Sequence, residues 1–146
     1  EPFLIEFNVR MGDPECQTIL PLLKTDLGEI INSCCEENLE SVKIEWENKK
    51  SLCVVLCSKG YPDEYKKNLK INNLKNIKTE NKQYIFHAGT IINKGEFYSF
   101  GGRVLNVVSI SNSFNECKNK TYEILKKLDW KDGFYRKDIG YKVIDE

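Results

Sequence analysis

The string GGRVLNVVSI, residues 101–110, is the stretch that decides the fold. Its two glycines interrupt the regular backbone and allow another group to approach closely, and the aliphatic run that follows is typical of a strand. Ser113 and Glu116 come directly afterwards with the spacing of a helix capping box. We therefore predict a strand over residues 103–110 and a helix that begins after Ser113.

The predicted helix has one apolar face. Six side chains recur at helical spacing along it: Phe114, Cys117, Thr121, Ile124, Leu125 and Leu128. Because a helix with a single apolar stripe stabilises itself by burying that stripe, we expect this helix to cover one face of a sheet.

Further strands are predicted on both sides of this stretch. Residues 51–58 are a Cys/Val/Leu run, and residues 84–92 and 96–100 form a hairpin in which Gly95 supplies the positive φ of the turn. Alternation also predicts short strands over residues 42–46, 134–136 and 141–144, and residues 63–82 are expected to be an exposed excursion. The expected fold class is α+β, with a mainly antiparallel β domain and one covering helix.

The first forty residues have a different character. Residues 3–10 alternate, which places Glu6, Asn8 and Arg10 on one face of a predicted strand and four apolar side chains on the other. Asp13 and Pro14 have the order of an N-cap and a first helical residue, Pro21 ends that helix, and a second helix capped at Thr25 or Asp26 runs to about residue 37. We place a domain boundary between residues 38 and 39.

Composition excludes several functional classes. Lys plus Arg and Asp plus Glu both number 22, so the net charge is zero and favours neither a nucleic acid nor an anionic membrane as partner. No apolar run approaches the roughly 18 residues of a membrane span. The six cysteines are scattered as in cytosolic proteins, and with a single histidine they offer no zinc-site spacing. We predict a cytoplasmic protein.

Glu6 and Asn8 are candidate metal ligands. Two residues apart on a strand, their oxygens project to the same side about 7 Å apart. A carboxylate with an amide oxygen suits a hard cation such as Mg²⁺ or Mn²⁺, which would leave coordination positions for phosphates. Spacing alone fits equally a polar strand face turned to solvent, so both interpretations stay open.

A family resemblance rests on six ordered strings. They are EFNVRMGDPECQ at 6–17, LPLLKTDL at 20–27, VVLCSKGYP at 54–62, FHAGT at 86–90, GGRVL at 101–105 and FYRKDIG at 134–140. In order and spacing they resemble the C-terminal part of the ATP-grasp superfamily in its glycinamide ribonucleotide synthetase form. The chain departs from that pattern at Phe100, at Asn106 and around residues 63–68.

The resemblance implies a function. The family uses ATP to convert glycine to glycyl phosphate, which the amine of 5-phosphoribosylamine attacks in de novo purine biosynthesis. By the same resemblance Glu6 and Asn8 bind Mg²⁺ or Mn²⁺, Arg10 and Asp13 are catalytic and substrate-binding, and Gly102 and Arg103 line the substrate cleft. Its implied partners are glycine, 5-phosphoribosylamine, ATP and a preceding part of the same enzyme, without which we expect the chain to be inactive.

Other interpretations stay open. The β-rich part from residue 41 could be a non-catalytic binding module, and the chain could belong to another ATP-grasp carboxylate–amine ligase or carboxylase. Arg103 could be an ordinary surface arginine. His87, the single histidine, is expected to be a core or supporting residue more than an acid or base.

Overall fold

The computed structural model of the chain describes residues 2–5 and 7–144. Its helices are α1 (Glu15–Ile19), α2 (Leu27–Cys35), α3 (Phe114–Leu128) and α4 (Tyr141–Ile144). Its strands are β1 (Lys50–Ser58), β2 (Gln83–His87), β3 (Thr90–Asn93), β4 (Glu96–Ser99), β5 (Arg103–Ser111) and β6 (Gly133–Phe134). Single 3₁₀ turns lie at Leu20–Leu22, Leu39–Ser41 and Leu74–Asn76.

The main sheet is antiparallel and has the order β2-β5-β1-β6. Its centre is the long pairing of β1 with β5, which runs from Lys50 opposite Ser111 to Cys57 opposite Arg103. The register shifts between Leu56 and Cys57, so β5 has one extra residue there, as in a β-bulge. The separate β3–β4 hairpin turns through Lys94 and Gly95; the positive φ of Gly95 is as the sequence predicts, and Lys94 has positive φ as well.

The core lies between the sheet and α3. Leu52, Val54 and Leu56 point to this side from β1, and the apolar stripe of α3 meets them. Five of the six predicted stripe residues are buried, and Phe114 packs against the same cluster. Burying each large aliphatic side chain contributes about 1.5–3 kcal/mol, so this layer makes a large contribution to the stability of the domain. The expected α+β class, antiparallel sheet and covering helix are confirmed.

The N-cap predicted at Ser113 forms, and the Glu116 side chain reaches back one residue further than a capping box requires, to the Asn112 amide. Ser113 Oγ accepts a hydrogen bond of 3.2 Å from the Glu116 amide, and Glu116 Oε2 accepts one of 3.3 Å from the Asn112 amide. At the other end Asp129 takes a left-handed conformation, and its amide donates to the Leu125 carbonyl. Both helix ends therefore satisfy backbone groups that would otherwise lack partners.

Three predicted strands are wrong. Residues 2–5 and 7–10 have no regular structure, and Ile5 and Val9 are 95% and 103% exposed, because no neighbouring strand among the described residues pairs with them. The segment at 42–46 forms only one bridge, between Trp46 and Leu23. Residues 141–144 are helical, since Tyr141 and Val143 donate to carbonyls three residues earlier and have no strand partner.

Two further expectations need correction. Helix α1 begins at Glu15 with Pro14 at its N-cap, and the Asp13 side chain accepts a hydrogen bond from Gln17. The excursion at 63–82 is only partly exposed, because Ile71 and Leu74 reach into the core and the Ile71 amide donates to the Phe97 carbonyl. The second helix does begin after Asp26, which accepts from the Glu29 amide.

We predict that Ser113→Ala lowers the free energy of unfolding by about 1 kcal/mol, because the first turn of α3 loses a hydrogen-bond acceptor. Urea unfolding followed by circular dichroism measures the change. Ser113→Asp is the matched control, since its carboxylate accepts the same hydrogen bond. Equal midpoints for the alanine and aspartate variants would contradict the prediction.

Candidate functional site

Two predicted site residues that are distant in sequence meet in the structure. Arg103, the first residue of β5, places its Nε 3.3 Å from Asp13 Oδ2, and one of its terminal nitrogens donates to the Asp13 backbone carbonyl at 3.4 Å. Asp13 Oδ1 accepts a third contact, a hydrogen bond of 2.8 Å from Gln17 Nε2. The Asp13 carboxylate is thus fixed from two sides, by a cation and by a neutral amide.

Close backbone packing sets the position of Arg103. A Cβ added to Gly102 would lie 2.1 Å from a ring carbon of Tyr61, and one added to Gly89 would lie 2.5 Å from the Gly101 Cα. The Gly102 carbonyl also accepts from the Ser58 amide at 2.7 Å. Only glycines permit these contacts. Gly102 is therefore buried beneath Tyr61, and its predicted role in substrate binding stays a prediction.

Asn8 and Arg10 lie in the irregular segment before α1. Arg10 is exposed and donates to the Met11 carbonyl at 2.9 Å, and Asn8 is exposed as well. Glu6 lies outside the described residues. Within residues 2–5 and 7–144, no group of three or more His, Cys, Asp or Glu side chains could hold a metal ion. The Glu6–Asn8 metal site stays a prediction.

The Asp13–Arg103 pair contributes little to stability. Its side chains are 32% and 45% exposed, and ion pairs open to solvent in this way are worth about 0–1 kcal/mol. The exposure leaves part of the guanidinium accessible. Such a group binds a carboxylate or phosphate through two parallel hydrogen bonds, so the arrangement fits recognition of an anion.

Two buried thiols lie on the same sheet face as Arg103. Burial raises the pKa of Cys53 to about 12, against a smaller lowering by a hydrogen bond from Thr18. Burial also raises the pKa of Cys57, and the nearby Arg103 charge offsets part of that rise. Both thiols are protonated at neutral pH. They are packing groups and not nucleophiles.

An apolar cleft of about 430 Å³ flanks the pair on this face. Its walls include Pro14, Cys57, Tyr61, Phe134 and Ile139. The sequence analysis did not identify Tyr61 or Gln17 as site residues. Gln17 could have been found, since it lies four residues after Asp13 on a predicted helix and that spacing brings the two side chains together.

The interpretation of His87 as a core residue is wrong. The side chain is exposed, and its Nδ1 lies 2.8 Å from Thr90 Oγ1. Its ring centroid is 5.0 Å from that of Phe97. These contacts tie β2 to the β3–β4 hairpin and give His87 a structural role.

We predict that the six thiols divide by burial. Cys34 and Cys35 are exposed and should react rapidly with Ellman's reagent at neutral pH, and the half-buried Cys16 should react more slowly. Cys53, Cys57 and Cys117 should stay protected because they are buried and burial raises the pKa of each. Unfolding in urea is the control and should release all six. Rapid modification of Cys53 in the folded chain would contradict the assignment.

Comparison with known proteins supports the resemblance stated above. The family described as phosphoribosylglycinamide synthetase, C domain, matches residues 51–142. The chain is 45% identical over 139 residues to phosphoribosylamine–glycine ligase of Caldanaerobacter subterraneus and 46% identical over 143 residues to that of Fusobacterium nucleatum. It covers 33% of each of these relatives, which in turn cover 95% and 96% of the chain.

A solved structure agrees in fold. The crystal structure of phosphoribosylamine–glycine ligase from Thermotoga maritima superposes with a TM-score of 0.70 at 30% identity, over 96% of this chain and 34% of that one. The chain spans about a third of the length of the relatives it matches. No helix among the described residues is long and apolar enough to cross a membrane. The family match over residues 51–142 confirms the sequence resemblance, and the chain belongs to the phosphoribosylglycinamide synthetase C-domain family.

Proposed function

We propose that this chain forms the C-terminal part of an ATP-dependent phosphoribosylamine–glycine ligase of de novo purine biosynthesis. The named relatives support the ligase family over almost the whole chain. The structural observation that carries the proposal is the contact between Asp13 and Arg103. It joins two of the strings that carry the family resemblance, and it leaves a partly exposed guanidinium oriented by a carboxylate.

In the proposed reaction the γ-phosphoryl group of ATP passes to a carboxylate oxygen of glycine and ADP leaves. The amine of 5-phosphoribosylamine then attacks the carbonyl carbon, an N–C bond forms, and phosphate leaves as the amine loses a proton. The transferred phosphoryl group, the glycine carboxylate and the acyl phosphate all carry negative charge at the reacting atoms. Catalysis therefore depends on positioning and on neutralising that charge.

The residues of this chain have distinct proposed roles. Arg103 binds an anionic group of a substrate, and Asp13 holds the guanidinium in place. Arg10, three residues before Asp13 in the sequence, adds a second positive charge. The donor set of Glu6 and Asn8, a carboxylate and an amide oxygen, fits Mg²⁺ or Mn²⁺, which when bound neutralises charge on the phosphates.

The remainder of the enzyme is the proposed partner of the segment before β1. In residues 2–5 and 7–50 no side chain is buried, and Phe3, Ile5 and Phe7 are more than four-fifths exposed. Apolar side chains in one continuous segment indicate a surface that is covered in the complete protein. We propose that the preceding part of the ligase covers it and supplies the groups that hold ATP. Cytoplasmic location is part of the same proposal.

The proposed function predicts a clear difference between two proteins. The full-length protein that contains this chain should release phosphate from ATP when given glycine and 5-phosphoribosylamine, and should not do so with bicarbonate or formate. The 146-residue chain alone should show neither turnover nor micromolar binding of Mg²⁺-ATP in calorimetry. Activity with bicarbonate instead of glycine would favour another ATP-grasp enzyme, and no activity in the full-length protein would favour a binding module.

We also predict that Arg103→Lys in the full-length protein raises the KM of one anionic substrate by about tenfold to a hundredfold. The lysine keeps the charge but loses the paired hydrogen bonds, which are worth roughly 1.5–3 kcal/mol when one partner is charged. Steady-state kinetics with each substrate varied in turn measure the change. Lys127→Arg is the charge-preserving control, because Lys127 is exposed and pairs with Glu123 on α3, on the other side of the sheet. Equal effects of the two substitutions would remove Arg103 from the substrate site.

A further inference from the structure

A buried amide near the Asp13–Arg103 pair has no partner. Asn106 is 1% exposed, and neither its Nδ2 nor its Oδ1 makes a hydrogen bond to any described residue. The Oε1 atom of Gln17 is also buried and also lacks a partner within the described part of the chain. Buried polar groups are almost always paired, so two such groups need an explanation.

The two groups lie on the same side of the sheet. Asn106 is opposite Val55 on β1, on the face that also carries Cys53 and Cys57 and that is turned away from α3. Arg103 and Asn106 are three residues apart, a spacing that normally places side chains on opposite faces. The extra residue at the register shift brings both onto one face.

Helix α1 crosses this face in a direction that brings Gln17 to Asn106. Asp13, just before the helix, contacts Arg103, and Thr18 lies beside the Cys53 thiol further along the sheet, where Cys53 is opposite Val108. The helix therefore runs along the sheet in the same sense as β5 does from Arg103 to Asn106. Gln17 lies between Asp13 and Thr18, so it is over the stretch of β5 between Arg103 and Val108, which includes Asn106.

The surroundings of Asn106 offer few other polar partners. The side chains beside it on this face are Val55, across the β1 pairing, and Phe86, across the β2 pairing. Val108, the next residue on this face of β5, is fully buried and apolar. The unpaired oxygen of Gln17 is the complementary group, because it accepts where an asparagine amide donates.

We propose that Asn106 is a positioning residue for Arg103. In this proposal the Asn106 carboxamide donates to Gln17 Oε1 through one bridging water, since the two groups make no direct hydrogen bond in the structure. Gln17 Nε2 donates to Asp13 Oδ1, and Asp13 Oδ2 holds Arg103. We call this series of contacts from Asn106 through Gln17 and Asp13 to Arg103 the relay. The relay does not depend on the proposed function, and only the use of Arg103 for substrate binding rests on the proposed function.

The relay has a defined direction that makes it sensitive to Asn106. Because Gln17 gives its donor to Asp13, its oxygen must receive one. Removing the Asn106 donor leaves that oxygen buried without a partner, and the Gln17 side chain gains by rotating towards water. Asp13 then loses one of the two contacts that fix its carboxylate, and Arg103 loses its orientation.

The arginine side-chain signals of the isolated chain provide the test. The chain has three arginines, Arg10, Arg103 and Arg136, so the Nε–H region of a ¹⁵N-correlated NMR spectrum has few signals to assign. Arg136 Nε donates to Asp138 at 2.9 Å and serves as the internal reference. The variants are Asn106→Leu, Gln17→Met and the double substitution.

We expect each single variant to speed exchange of the Arg103 Nε proton with water by about fivefold or more, within the range seen for coupled neighbouring groups, while Arg136 is unchanged. In the double variant the Arg103 Nε proton should exchange no faster than in Gln17→Met alone, because both substitutions then remove the two ends of one contact. An Arg103 signal in Asn106→Leu that matches the parent, with a changed signal in Gln17→Met, would overturn the proposal. Additive effects of the two substitutions would overturn it too.

A second variant keeps the test decisive if Asn106→Leu does not fold. Asn106→Thr is smaller, suits a strand and retains one hydroxyl donor, so it should restore Arg103 exchange to within about twofold of the parent if a donor is what matters. Asn106→Val, which has nearly the same shape without the hydroxyl, is its matched partner. Equal exchange in the threonine and valine variants would contradict a hydrogen-bonded relay.

Kinetics in the full-length protein separate this proposal from the proposed function. Asn106→Val should raise the KM of the substrate that Arg103 binds and leave kcat almost unchanged. Faster exchange of the Arg103 Nε proton with an unchanged KM would support the relay and reject the substrate role of Arg103. An unchanged exchange rate of the Arg103 Nε proton with a raised KM would reject the relay.

Discussion

The pairing of β1 with β5 is the constraint on which the rest of the structure depends. Both strands are central in the sheet, and each has one face against α3 and the other towards α1. Their register decides which side chains enter the core and which face the candidate site. Because of the register shift between Leu56 and Cys57, β5 contributes to both the core and the candidate site. Leu105 and Val107 fill the core, while Arg103 and Asn106 face the other way.

The sequence was most informative where a structure depends on neighbouring residues. The run at 51–58, the turn at Gly95 and the N-cap at Ser113 each have a local pattern and form as predicted. The predicted strand over residues 3–10 failed because a strand also needs a partner to accept its hydrogen bonds. The segment at 141–144 is too short for periodicity to separate a strand from a helical turn, and Asn115 holds its end by donating to the Ile144 carbonyl.

The candidate site was predicted as a set of residues but not as an arrangement. Family resemblance identified Asp13 and Arg103, but local rules assigned the Asp13 side chain to helix capping. In the structure that carboxylate instead binds a residue 90 positions away, a long-range choice that no local pattern encodes. The bulge is equally invisible in sequence, because GGRVLNVVSI alternates no better in one register than in another. Asn106 was expected to depart from the family pattern, and the structure places it fully buried on the face of the sheet that carries Arg103.

The extra residue in β5 also determines which changes this strand can tolerate. Val104 is fully buried, and any aliphatic side chain of similar volume could replace it. A strand that lacked this residue altogether would alternate regularly and would still place Arg103 opposite Cys57, on the face turned away from α3. A strand that kept all of its residues but lost the bulge would instead turn the guanidinium into the apolar layer. The extra residue and the bulge therefore have to be kept or lost together.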